Sequence, residues 1–95
     1  MKLKFVSNDN EHIVYVPNLD VDLFQLSRVF ESKGFLMRIV TPELGVFDLD
    51  GSEIHIMKNG HVVIKDTNTE NAKEKAMKVI TLMSQSLGRD LILEY

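Results

Sequence analysis

The sequence has no cysteine, no tryptophan, only two prolines and no long apolar run. Without cysteine there are no disulfides, no thiol nucleophile and no Cys-ligated zinc. No stretch approaches the ~18 apolar residues of a membrane helix. The N-terminus, Met1-Lys2-Leu3-Lys4-Phe5, alternates and lacks the continuous apolar stretch of a signal peptide. Positive charge is not in excess either. The formal net charge is -3 and the pI is near 5.5, which argues against strong non-specific binding to nucleic acid. A soluble cytoplasmic domain is the expectation.

What is present is 95 residues, 44% of them hydrophobic, enough for one packed core and too few for two. No linker, low-complexity segment or internal repeat divides the chain. Residues 1–95 read as one domain with an extra N-terminal strand at about 2–7 and a short tail at about 89–95.

Residues 2–7 alternate in polarity, and so predict a strand. The turn Asn8-Asp9-Asn10 leads to a second strand over His12-Ile13-Val14-Tyr15-Val16, which Pro17 ends because it has no amide hydrogen. Asp20 or Asn18 can cap a first helix, whose apolar stripe is Leu19, Leu23, Leu26 and Phe30 and whose stop is Lys33-Gly34. A strand follows over Phe35 to Thr41, with Phe35, Met37 and Ile39 inward, then a turn at Pro42-Glu43-Leu44-Gly45. Val46 to Asp50 alternates with Phe47 and Leu49 inward, and Asp50-Gly51 is a hairpin signal.

The segments Glu53 to Met57 and His61 to Lys65 form the next hairpin. A two-residue Asn59-Gly60 loop would mix Ile56 and Val63 with Lys58, His61 and Lys65 on one face. A three-residue loop ending in a left-handed Gly60 puts Ile54, Ile56, Val62 and Ile64 together. Burial of one apolar face fixes register, so the three-residue loop is expected. Thr69, or a Thr67/Glu70 capping box, can start a long second helix with the stripe Ala72, Ala76, Val79, Met83 and Leu87, ended by Gly88. Lys73, Glu74, Lys75 and Lys78 are expected to face water. Leu91 to Tyr95 is either a short strand or a docked tail. The fold class expected is α+β in two layers: an antiparallel sheet of about six strands with two amphipathic helices on one face.

Four stretches in this order resemble one repeat of the TATA-binding protein family. They are Asp22-Leu23-x-x-Leu26-Ser27-Arg28, Pro42-Glu43-Leu44-Gly45-Val46, Ile54-His55-Ile56-Met57-Lys58-Asn59-Gly60-His61-Val62-Val63, and Thr69-Glu70 with Ala72 and Ala76. The likeness covers roughly residues 10–87. It implies a repeat running strand, helix, four strands, long helix. That family joins two repeats through their first strands, and here residues 2–7 should occupy that edge of the second strand. The positions of the family's DNA-kinking aromatic pair fall near Leu44 and at Met57, neither aromatic. The resemblance therefore implies fold more than TATA-box recognition. Single copies also accompany nucleic-acid enzymes, which makes nucleic acid an alternative partner.

The sheet face away from the helices is the candidate site. It should carry Val14, Arg38, His55, Met57, His61, Val63 and Lys65, with Lys4, Val6, Val16 and Val46 beside them, and His12 joins them if Ile13 and Tyr15 point inward. Such a mixture suits a protein partner or self-association. Three imidazoles on one face would be metal ligands only with orienting neighbours, so no metal or other cofactor is expected. No nucleophile motif or enclosed pocket is legible, and a non-enzymatic binding module is the functional expectation. Asp48, Asp50 and Glu53 are read as charges that keep the sheet soluble and discourage unwanted pairing.

Overall fold

The computed structural model describes residues 2–17 and 19–95 except for Tyr95, so Met1, Asn18 and Tyr95 lie outside the described residues. The elements are β1 (Lys2–Asn8), β2 (Glu11–Tyr15), α1 (Leu23–Ser32), β3 (Arg38–Thr41), β4 (Leu44–Leu49), β5 (Ser52–Met57), β6 (Val62–Lys65), α2 (Thr69–Leu87) and β7 (Ile92–Glu94). They build one seven-stranded sheet in the order β3-β4-β5-β6-β2-β1-β7. All pairings are antiparallel except β1 with β7. The architecture is α+β, with one strand more than expected because the tail joins the sheet alongside β1.

Both helices pack on one sheet face around a single core. Leu23, Leu26 and Phe30 of α1 and Ala72, Ala76, Val79, Ile80 and Met83 of α2 meet Phe47, Leu49, Ile54, Ile56, Val62 and Ile64. Phe30 packs edge-on against Phe47, with ring centroids 5.2 Å apart, a favoured aromatic geometry.

The hairpins follow their loop chemistry. Asp50 and Gly51 both have positive φ, at 49° and 85°, the signature of the two-residue turn that matches strand twist. The β5–β6 loop has three residues. Met57 N donates to His61 O at 2.9 Å, and Gly60 has φ +90°. A Cβ on Gly60 would also lie 2.9 Å from Leu19 Cδ2, so both conformation and space require glycine there. The resulting register buries Ile54, Ile56, Val62 and Ile64 completely.

Helix caps sit close to the expected positions but on other residues. Asp22, not Asp20, caps α1, accepting from Phe24 N at 3.1 Å and Gln25 N at 3.2 Å. The Asn18 alternative lies outside the described residues. Asn68, rather than Thr69 or the Thr67/Glu70 box, caps α2 by accepting from Asn71 N at 3.0 Å. Gly88 ends α2 in the left-handed region. The third strand is shorter than expected. Pairing starts at Arg38, and residues 35–37 run beside the sheet rather than in it.

Candidate functional site

No helix or described loop covers the second sheet face, and strand pairing sets what it presents. One cross-strand row runs Arg38, Val46, His55, Val63, Ile13, Val6. A second runs Asp48, Glu53, Lys65, Glu11, Asn8. The third holds Leu44, Met57 and His61, then Tyr15 and Lys4. Arg38, His55, Met57, His61, Val63 and Lys65 therefore share this face as expected. Val46 and Val63 retain little exposure beneath their cross-strand neighbours, whereas Val6 and Tyr15 are each 42% exposed.

Two of the expected face residues are not there. His12 and Val14 are fully buried on the helix side, with Val16, and Ile13 and Tyr15 take their place on the bare face. The cause is register. His12 pairs with Ile64, Val14 with Val62 and Val14 with Phe5, and side chains directly opposite in a ladder share a face. Apolar residues occupy both faces of β2, so alternation within that strand alone does not select one.

The bare face is wired by local charge pairs. Glu53 Oε1 lies 2.6 Å from His55 Nε2, and this contact lowers the Glu53 carboxyl below its ordinary range. Lys65 pairs with Glu11 and likewise lowers that carboxyl, chiefly through the hydrogen bond. Tyr15 and His61 meet edge-to-face at 5.2 Å.

His12 belongs instead to a buried network. Its Nε2 lies 3.0 Å from the Asp66 carbonyl oxygen. A carbonyl only accepts, so Nε2 carries a proton. Nδ1, 2.9 Å from Ser7 Oγ, then accepts the serine hydroxyl in the neutral ring. Phe5 stacks on the imidazole at 5.8 Å. The ring ties β1, β2 and the β6–α2 connection, and it faces away from His55 and His61. Among the described residues, no group of three or more His, Asp or Glu side chains converges to hold an ion.

A second polar cluster was not legible as a site. Ser52 Oγ donates to Asp66 Oδ2 at 2.9 Å, and Lys75 Nζ donates to Ser52 Oγ at 2.6 Å and to Asp66 Oδ2 at 2.8 Å. Lys75, expected to face water, is only 12% exposed in its side chain, and Asp66 only 10%. Hydrogen bonds from Lys75 and then Asn68 N, against a burial cost, hold the Asp66 carboxyl down to about 2. Asp66 is thus an anion at neutral pH, and the lysine that bonds it acts as a donor. The Ser52 hydroxyl thus donates to Asp66 and accepts from Lys75. The trio borders an open cleft of about 630 Å³, and its geometry suits a clamp between β5, the β6–α2 connection and α2. Two features of the sequence mark its members. Ser52 interrupts the inward row of Ile54 and Ile56, and Lys75 lies three residues after Ala72 and four before Val79.

Comparison with protein-family models, with curated proteins and with solved structures finds no match to this chain. No helix among the described residues is long and apolar enough to cross a membrane.

Proposed function

We propose that this protein is a non-enzymatic binding module whose bare sheet face docks another protein. One observation carries the reading: Val6 and Tyr15 are exposed on either side of Ile13, on adjacent strands of a sheet face that neither helix covers. Aliphatic and aromatic side chains at the centre of a patch, with charged pairs beside them, are the usual anatomy of a protein interface. Seven strands at about 4.8 Å spacing make a face roughly 30 Å wide, comparable to what one partner buries in a standard complex.

Element order supports the family resemblance. With β1 and β7 set aside, the chain runs strand, helix, four strands, helix, as one repeat of the TATA-binding protein does. The edge through which that family joins its repeats corresponds to β2, and here β1 lies on it. A two-repeat saddle is accordingly not part of the proposal. A nucleic-acid partner is the second reading, favoured by Tyr15 beside His61 and Lys4, since aromatic rings with cations can stack bases.

Affinity capture from the source cell with the intact chain and with Ile13→Lys tests the first reading. Loss of a defined, stoichiometric partner in the variant supports it. Titration against single-stranded and duplex DNA over a range of salt separates the second. Binding that falls steeply with salt would favour nucleic acid, and would displace the protein-partner reading if Ile13→Lys changes no protein contact.

A further inference from the structure

Asn59 is the only asparagine in the chain that is followed by glycine. That pair has a chemistry of its own. Gly60 has no side chain to crowd its nitrogen, so the nitrogen can reach the carbonyl carbon of the asparagine side chain. The loop Lys58-Asn59-Gly60 places the pair between β5 and β6, with Asn59 exposed. The flanking residues, Met57 and His61, stand on the bare sheet face. A covalent change in this loop therefore reaches the candidate binding surface.

The closed loop holds the reacting atoms out of position. Gly60 N donates to Met57 O at 2.8 Å, and of the three loop residues Gly60 alone has positive φ. The loop is thus a type I turn followed by a left-handed glycine, which sets the ψ of Asn59 near about 0°. Closing a ring from Gly60 N to Asn59 Cγ needs that bond turned by about a third of a circle, which breaks the turn. The side chain is held as well. Asn59 Oδ1 accepts from His61 N at 3.0 Å, and Nδ2 lies 3.4 Å from His61 Nδ1. Leu19 packs against Gly60 and braces the loop.

We infer that Asn59–Gly60 is a self-modification site whose reaction is gated by opening of this hairpin loop. In the open loop Gly60 N bonds to Asn59 Cγ, and the side-chain nitrogen leaves as ammonia, taking the proton that Gly60 N gives up. Water then opens the five-membered imide at either carbonyl, leaving aspartate or a β-linked isoaspartate at position 59. Either product adds one negative charge beside His61. The isoaspartate also lengthens the loop backbone by one atom, which displaces Gly60 from Leu19 and disturbs the Met57–His61 pair. The change runs one way and needs only water. It holds whether or not the bare face docks a protein.

The test is peptide mapping by mass spectrometry of the intact protein, incubated at mildly alkaline pH in buffer and in concentrated guanidinium chloride. In denaturant the peptide containing Asn59 should convert from amide to acid ahead of every peptide carrying another asparagine. In buffer the same conversion should be at least about tenfold slower, because the loop must first open. Leu19→Ala, which removes the brace, should speed the buffer reaction in a chain that keeps its amide NMR dispersion. Asn59→Gln, whose ring would be one atom larger, should silence the site in both conditions. In converted protein the amide signals of residues 57 and 61 should shift. Equal rates in buffer and denaturant would overturn the gate, as would an unchanged buffer rate in folded Leu19→Ala. No preference for Asn59 in denaturant would overturn the site itself. The comparison of buffer with denaturant uses the unaltered chain, so it decides the matter even if Leu19→Ala does not fold.

Discussion

The two faces of the sheet differ in how their residues were selected. On the helix side Leu3, Val14, Phe47, Leu49, Ile54, Ile56, Val62 and Ile64 make a nearly unbroken apolar layer. The polar exceptions, His12 and Ser52, each have partners for their polar atoms. On the bare side one row mixes Val46, Val63, Ile13 and Val6 with Arg38 and His55, and the next is mostly charged. A closed core tolerates a polar group only when it is fully bonded, whereas an open face can mix both. β2 separates the two environments within one strand, because Val14 and Ile13 are neighbours in sequence and lie on opposite faces.

Substitution of those two neighbours breaks the comparison most sharply. Val14→Asp should destabilise by more than about 4 kcal/mol, enough to unfold a domain of this size, because the carboxylate has no buried partner. Ile13→Asp should cost less than about 1 kcal/mol. Urea denaturation followed by circular dichroism checks both, and equal losses would mean that β2 is turned over.

The Ser52–Asp66–Lys75 clamp comes next. Lys75→Met leaves a shielded carboxylate without its cation and should cost about 3 kcal/mol. Lys78→Met, which removes an exposed partner of Asp50, should leave the unfolding midpoint nearly unchanged. If the two variants unfold at the same denaturant concentration, the clamp is no more than another surface pair.

The histidines sharpen the contrast further. His12→Ala empties a packed site and orphans the Asp66 carbonyl, for an expected loss of about 2–3 kcal/mol. His61→Ala should stay within about 0.5 kcal/mol. Thermal unfolding of the two variants ranks them, and a more costly His61→Ala would place the buried ring in the wrong position.

The smallest effect is the acid limb. The folded Asp66 carboxyl is held down to about 2 from an ordinary value of 3.8. Its contribution is therefore complete above the ordinary value and is lost as pH falls from about 4 through 2, an effect on the order of 1–2 kcal/mol. Asp66→Asn should flatten that part of the stability–pH curve, and an unchanged slope would show that other carboxylates produce it.

Much of this arrangement was legible because local chemistry and burial agreed. Asp50-Gly51, the loop ending at Gly60, the inward set of Ile54, Ile56, Val62 and Ile64, and both helix stripes each had one low-energy solution. Caps shifted because several oxygen-bearing residues adjoin each helix start, and final geometry selects among Asp20 and Asp22, or Asn68 and Thr69. The facing of β2 differs from expectation because His12, Ile13, Val14, Tyr15 and Val16 contain four apolar residues on two faces, so the choice passes to Val62, Ile64 and Phe5 across the ladders. Residues 35–37 left the sheet because Gly45 admits Met37, a contact no local period contains. The Ser52–Asp66–Lys75 clamp joins residues 14 and 9 positions apart, and only the polar intrusions at Ser52 and Lys75 marked it.

The most direct measurement is site-specific photo-cross-linking in the source cell. A photoreactive residue at position 13 samples the bare face. The same residue at position 24 samples the helix layer, where Phe24 is 58% exposed and access is no worse. The account predicts a discrete protein adduct from position 13 and none from position 24. An adduct from position 24 alone would contradict it, and would move the binding surface to the helices.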